Sequence, residues 1–344
     1  MNQRILKDYK VLKQTRYNAY ISAIGHFIPP KVISNKHFAE YLDTTEEWIE
    51  ERTGISERRY LEKDQPTSFA AIEAIRMLLK ERKISADEID LIIVATVTAD
   101  MNYPSTACII QDAIGAQNCW GFDLSGACSG FLFALTTGAQ FIENGMHKKV
   151  IVVGADKMSS IIDPLDRNTC VLFGDGAGAV LLEPTEDKSL GIIDSILRIE
   201  GVGGKYLMQP AGGSLNPSSF ETVEKRMHFV HQDGKAVFKD AVIGMANVSV
   251  EIMEKNNLSS DDIAYLVPHQ ANLRIISASA ERMGLSMEKV MLNIHKYGNT
   301  TAATIPLCLS EYWRDGKLKI GDNLVLASFG AGYTWGSILL KWAL

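Results

Sequence analysis

The sequence predicts an α/β protein built from two similar halves, and three observations support this. Apolar, β-branched runs alternate with amphipathic stretches of helical period along the chain. The segment ISADEIDLIIVATVTA (84–99), an acidic capped entry followed by an apolar strand and a turn, is echoed by LSSDDIAYLVPHQANL (258–273). KKVIVVGAD followed by FGDGAGAVLLEP is echoed by DNLVLASFGAG followed by WGSILLKW. The echoes meet near Glu183 to Gly191, which divides the chain into an N-terminal half over 18–186 and a C-terminal half over 187–344, preceded by an arm over 1–17.

In chain order, the arm holds Arg4, Lys7, Lys10, Lys13 and Arg16. This three-residue spacing precesses around a helix and makes no single stripe, so a loosely docked arm is preferred over a membrane anchor. Apolar runs predict strands over 19–25, 89–96, 149–156 and 177–184 in the first half, and over 263–269, 323–330 and 336–342 in the second. Helical patterns cover 67–82, 105–114, 128–143, 236–255 and 270–283, with Gly115 and Gly145 as stop signals. A further apolar helix around Cys308 follows the turn at 297–300. The Gly-, Pro- and Ser-rich stretch 210–228 reads as a long loop, either bordering a functional mouth or forming a solvated insertion.

Composition narrows the function. A chain of 344 residues, 46% hydrophobic, can bury a large core, and its net charge of −6 argues against general nucleic-acid binding. Five cysteines, at 108, 119, 128, 170 and 308, show no C-x-x-C spacing. That suggests a reducing compartment and no zinc site, and a cytoplasmic location is the default. No apolar run is long enough to span a bilayer, and the basic N-terminus lacks the hydrophobic stretch of a signal peptide.

Cys128 stands in CWGFDLSGACSGFLFAL (119–135), where an apolar strand breaks at Ser125-Gly126-Ala127 and a helical pattern begins. Such a turn is a nucleophile elbow, and the unpaired N–H groups opening the helix are expected to favour the thiolate. For this residue alone, a buried core cysteine is an equally good reading. Two possible partners lie far along the chain. His269 in VPHQANLRI (267–275) sits beside the proline that ends a strand, and Asn299 in YGNTTAATIPL (297–307) sits in a turn before a helix. Read singly, they are a structural histidine and a turn residue.

Taken in order, SGACSG, FGDGAGA (173–179), PHQANLRI (268–275), GNT (298–300) and FGAGYTWGS (329–337) resemble β-ketoacyl-acyl-carrier-protein synthase III of the thiolase superfamily. The resemblance runs from about Tyr20 to Leu344. It implies a thiolase-like fold in which two duplicated α/β halves pack into one five-layered αβαβα body. It also implies a decarboxylative Claisen condensation, in which Cys128 takes an acyl group from coenzyme A and His269 and Asn299 stabilise the enolate of malonyl-acyl-carrier protein. The backbone N–H groups of Cys128 and Ala331 would form the oxyanion hole, with Ala331 standing where the family has glycine. No metal or redox cofactor is implied, since acyl-coenzyme A is a substrate.

By position, the same resemblance puts Trp48, Arg52, Arg167 and Asn272 at the coenzyme A site. Met158, Leu172, Phe173 and Phe329 fall at the acyl pocket, with Tyr103 reaching the pocket of the partner in a homodimer. Lys239, Arg274 and Arg282 would form a basic patch for the acidic carrier protein, although Glu281 departs from the lysine often found there. The bulky acyl-pocket side chains point to acetyl or short-chain starters. A degradative thiolase would need a second cysteine near the C-terminal glycine turn, and an elongating synthase a second histidine where Asn299 stands. Two alternatives are a specialised acyl or starter-unit transferase on the same scaffold and a noncatalytic dimer partner.

Overall fold

The structure is a computed structural model describing residues 16–344; residues 1–15 of the expected arm lie outside the described residues. Strand β1 (Asn18–Phe27) opens the first half. A small ribbon follows, β2 (Lys31–Ser34) against β3 (Glu57–Tyr60), carrying helices α1 (Asn35–Ala39) and α2 (Glu46–Thr53) in its connection. Helix α3 (Thr67–Arg82) precedes strand β4 (Leu91–Ala95), helix α4 (Thr106–Ile114) and strand β5 (Trp120–Leu124). Helix α5 (Gly130–Glu143) and strands β6 (Val150–Asp156) and β7 (Gly176–Thr185) complete this half.

The second half opens with β8 (Gly191–Ile199) and a two-residue ribbon, β9 (Leu207–Met208) against β10 (His231–Gln232), with the short helix α6 (Phe220–Glu224) between its strands. The long helix α7 (Gly234–Lys255), strand β11 (Tyr265–Pro268) and helices α8 (Leu273–Met283), α9 (Ile294–Tyr297) and α10 (Thr304–Arg314) follow. Strands β12 (Asn323–Gly330) and β13 (Thr334–Lys341) end it. The stretch 210–228 therefore carries α6, and Arg226 pairs with Asp163 through its guanidinium.

The first sheet runs β1-β7-β6-β4-β5 and the second β11-β12-β13-β8, which read from the other edge is the same order without its last strand. In both, a parallel pair (β4 with β6, β11 with β12) is continued by antiparallel neighbours. The missing strand survives as a single parallel bridge, Leu266 to Val290.

Strand alternation sorts the side chains into five layers. Ile92, Val94, Ile151 and Val153 face α3 and α4, while Leu91, Ile93, Val150 and Val152 face α5 and α10 in the middle. Leu324, Leu326 and Ile338 reach that middle layer from the second sheet, and Val325, Ala327 and Leu339 face α7 and α8. The order is thus helices, sheet, helices, sheet, helices. Sheets covered on both faces need unbroken apolar strands, which is why LIIVA and VIVVGAD contain no alternation. The two halves share the central core, so the body is continuous.

Candidate active site

The thiol comes from the first half. β5 gives way to Ser125-Gly126, and Ala127 adopts φ 47°, in the left-handed region that a non-glycine residue occupies only when its surroundings hold it there. Cys128 follows in a single 3-10 turn that leads straight into α5. The clamps come from β12 and β13. Ser328 donates its hydroxyl to the Cys128 carbonyl (2.9 Å), Thr334 donates to Gly126 O (2.8 Å), and Ser129 donates to Thr334 O (3.0 Å). Gly330 presses on the turn so closely that a Cβ there would stand 2.8 Å from Cys128 N.

The resting state of the thiol departs from the sequence expectation. Cys128 is only 8% exposed, and burial, together with the Asp156 carboxylate nearby, pushes its thiol up to about 12. The helix start is where it was expected, but desolvation outweighs the help its N–H groups give a thiolate, so Cys128 rests as a neutral thiol.

His269 and Asn299 come from the second half. His269 directly follows β11, and its N–H donates to Ala327 O of β12 (2.8 Å), extending the parallel pairing by one residue. Its Nδ1 lies 2.8 Å from Thr304 Oγ1 at the start of α10. Among the described residues its buried Nε2 has no partner. Burial drops the imidazole to about 3, so it is uncharged at neutral pH. Asn299 bridges to Phe173, with its N–H on Leu172 O (2.9 Å) and Gly174 N–H on its carbonyl (3.0 Å). Its side-chain Oδ1 accepts Thr301 N–H (2.8 Å), which fixes the amide and leaves the NH2 group as its outward end.

Sequence reasoning missed Asp156, at the end of β6. Its buried carboxylate accepts hydrogen bonds from Thr96 Oγ1 (3.0 Å), Val97 N (2.8 Å), Thr98 Oγ1 (2.8 Å) and the Thr301 hydroxyl. It thereby ties the loop after β4 to the turn that carries Asn299. The signal was a lone acid closing the apolar run VIVVGAD.

Cys128, His269 and Asn299 share the wall of one cavity of about 720 Å³, which opens among the exposed Arg52, Arg167 and Arg274. At this mouth the Trp48 ring holds the Arg52 guanidinium at 4.9 Å and that of Arg167 at 5.5 Å. Arg167 is also tied to Asp43, with its Nη1 3.2 Å from the carboxylate. Asn272 caps α8 through Arg274 N–H (2.9 Å) and donates its amide to Arg52 O (2.9 Å). Arg274 lies over the Phe238 ring at 4.9 Å. Leu172, Phe173 and Phe329 line the wall, as do Val237 and Ala241 of α7, which the sequence did not single out.

Other expected residues lie off this wall. Met158 is buried in a cluster that also includes Phe173. Tyr103 is 86% exposed, and Lys239 and Arg282 are exposed beyond the mouth. Ala331 is half-buried one residue past Gly330, which does line the cavity. The stretch 210–228 contributes nothing to the lining, which uses the flanking Leu207 and Gln232. Among the described residues no three His, Cys, Asp or Glu side chains converge as a metal site requires, and no helix is long and apolar enough to cross a membrane.

Two α/β repeats that each supply part of a single buried site, the thiol from one and the imidazole and amide from the other, are the design of the thiolase-fold condensing enzymes. Family models described as 3-oxoacyl-[acyl-carrier-protein (ACP)] synthase III match residues 122–201, and its C-terminal part residues 253–342. The chain is 57% identical over 326 residues to the β-ketoacyl-[acyl-carrier-protein] synthase III of Chlorobium chlorochromatii, covering 94% of this chain and 99% of that protein. Identity to the enzyme of Chlorobaculum tepidum is also 57%, with the same coverage. The crystal structure of 3-oxoacyl-[acyl-carrier-protein] synthase III from Aquifex aeolicus superposes with a TM-score of 0.87 at 40% identity, over 94% of this chain and 100% of that one. The chain belongs to the β-ketoacyl-acyl-carrier-protein synthase III family.

Proposed function

We propose that this enzyme condenses a short acyl-coenzyme A with malonyl-acyl-carrier protein through an acyl-Cys128 intermediate, giving the 3-oxoacyl-carrier protein that starts fatty-acid synthesis. The observation that carries this reading is the joining of Cys128, uncharged His269 and Asn299 to a mouth of Trp48, Arg52, Arg167 and Asn272 by one continuous cavity. The mouth is suited to the adenine and phosphates of coenzyme A, with the pantetheine threaded past Asn272.

In the first half-reaction the Cys128 sulfur attacks the thioester carbonyl. The oxyanion meets the Cys128 and Ala331 N–H groups, and the thiol proton leaves on coenzyme A, so the exchange is proton-neutral. In the second, the malonyl group loses carbon dioxide and its enolate oxygen accepts hydrogen bonds from His269 Nε2–H and the Asn299 amide. The carbanion then attacks acyl-Cys128, and the expelled thiolate takes a proton from solvent. An uncharged imidazole suits this role, because a developing enolate needs donors that are present before charge appears. Neither step calls for a metal or redox cofactor.

The partners are acyl-coenzyme A, malonyl-carrier protein and a second copy of this chain. We assign the enzyme to the cytoplasm on its free cysteines. Half-reaction analysis tests the scheme. Cys128→Ala abolishes the mass added by acetyl-coenzyme A, whereas Asn299→Ala keeps acylation and loses about 10²–10³ in decarboxylative turnover. Equal loss of both steps in Asn299→Ala would refute the division of labour. Acyl transfer without carbon dioxide release would instead favour a starter-unit transferase.

A further inference from the structure

Helix α7 forms one wall of the cavity through Val237 and Ala241, and three residues on from Ala241 it carries the half-buried Gly244. Glycine in the middle of a 22-residue helix weakens it, so its presence calls for a local cause. The cause is Phe329. A Cβ on Gly244 would stand 2.8 Å from Cδ2 and 2.9 Å from Cε2 of that ring, inside any tolerable contact. Phe329 is itself a cavity-lining residue, one position before the Gly330 that presses on Cys128. Two further rings flank it, Tyr333 at 4.8 Å between ring centroids and Trp335 at 6.0 Å. A ring displaced from the notch in α7, with those two rings beside it, shifts towards the cavity it lines.

We propose that Gly244 is a specificity-determining residue: it holds the Phe329 ring back in a notch of α7 and so sets the room for the acyl chain beside Cys128. Rigid interiors transmit such displacements because packed cores have no slack to absorb them. The inference rests on the acyl-Cys128 reading above and adds what limits the length of the acyl group.

The experiment measures kcat/KM for mass addition at Cys128 with acetyl-, butyryl- and hexanoyl-coenzyme A. Gly244→Ala should lower the butyryl-to-acetyl ratio at least about tenfold while acetyl transfer stays within about threefold of wild type. The double variant Gly244→Ala/Phe329→Leu, which removes the clashing ring edge, should return the ratio to wild type or above. Equal loss for all donors, or an unchanged ratio, overturns the proposal and leaves the condensing reaction standing. Failure of the wild-type protein to be acylated by any of the donors refutes the acyl-Cys128 reading itself.

Discussion

One hydroxyl proton decides which nitrogen of His269 carries the ring hydrogen. Thr304 Oγ1 lies 2.8 Å from His269 Nδ1 and 3.0 Å from Thr301 O, and it can donate to only one of them. Donation to Thr301 O puts the imidazole hydrogen on Nδ1 and leaves Nε2 bare, whereas the enolate-binding role proposed for His269 requires donation to Nδ1, which leaves the hydrogen on Nε2. Thr304→Val should keep Cys128 acylation and cut decarboxylative turnover roughly tenfold to a hundredfold, short of the loss of a whole donor. Thr304→Ser should recover it. Nitrogen NMR of labelled His269 should show a single Nε2–H tautomer in wild type and a mixture in the valine variant; an unchanged spectrum together with lost activity would make Thr304 merely structural. Cys128, His269 and Asn299 were singled out in the sequence by the ordered set of motifs that carry them and not by any one of them alone, and the fold brings all three to the wall of one cavity. Thr304 and Asp156 were not singled out, since their partners are distant in the chain: Thr304 meets His269 within the second half, and Asp156 joins the loop after β4 to Thr301 across the halves. Met158, which the resemblance places at the acyl pocket, is buried in one cluster with Phe173 and is not among the residues lining the cavity.

At the scale of elements, the sequence was clearest where burial is complete on both faces. β6, β7 and β12 sit within a residue or two of their apolar runs, and α3 spans the predicted 67–82. Strand β8 was missed because it is a half-exposed edge strand whose GIIDSILRI mixes Asp194, Ser195 and Arg198 into the apolar pattern. The ribbon strands KVIS and ERRY are four residues each and too polar to signal. Helix α2, sequence EEWIEERT, is held by its Thr45 cap on Trp48 N–H (3.1 Å) more than by any apolar stripe. Helix α8 begins three residues later than predicted because Asn272 caps it, and that cap puts Arg274 in the first turn at the cavity mouth. Arg274→Glu should therefore raise KM for malonyl-carrier protein about tenfold, since the acidic carrier loses a steering charge, and barely alter the rate of the first half-reaction. An equal effect on acyl-coenzyme A would move Arg274 into the coenzyme A site.

For the whole molecule, the unequal sheets matter. The second sheet ends at the bridge of Val290, but the first extends one strand further to β5, whose outer edge is unpaired among the described residues. An open edge of five residues is a pairing hazard unless something covers it. Trp120 on β5 is 45% exposed, and Met101 (50%) and Tyr103 (86%) stand exposed in the loop before α4, which packs on that strand. A lone chain keeps these apolar groups in water, and a second copy would bury them. The duplicated halves explain why one copy does not cover its own edge, because the second half has no fifth strand to return. We therefore expect a homodimer in which Tyr103 of one protomer reaches the acyl end of its partner's cavity. Light scattering at micromolar concentration should give about twice the monomer mass, and Tyr103→Ala should loosen the acyl-chain limit without changing that mass, as one ring contributes little of such an interface. A fully active monomer would overturn the dimer, and a dimer whose chain-length profile ignores Tyr103→Ala would remove Tyr103 from the pocket.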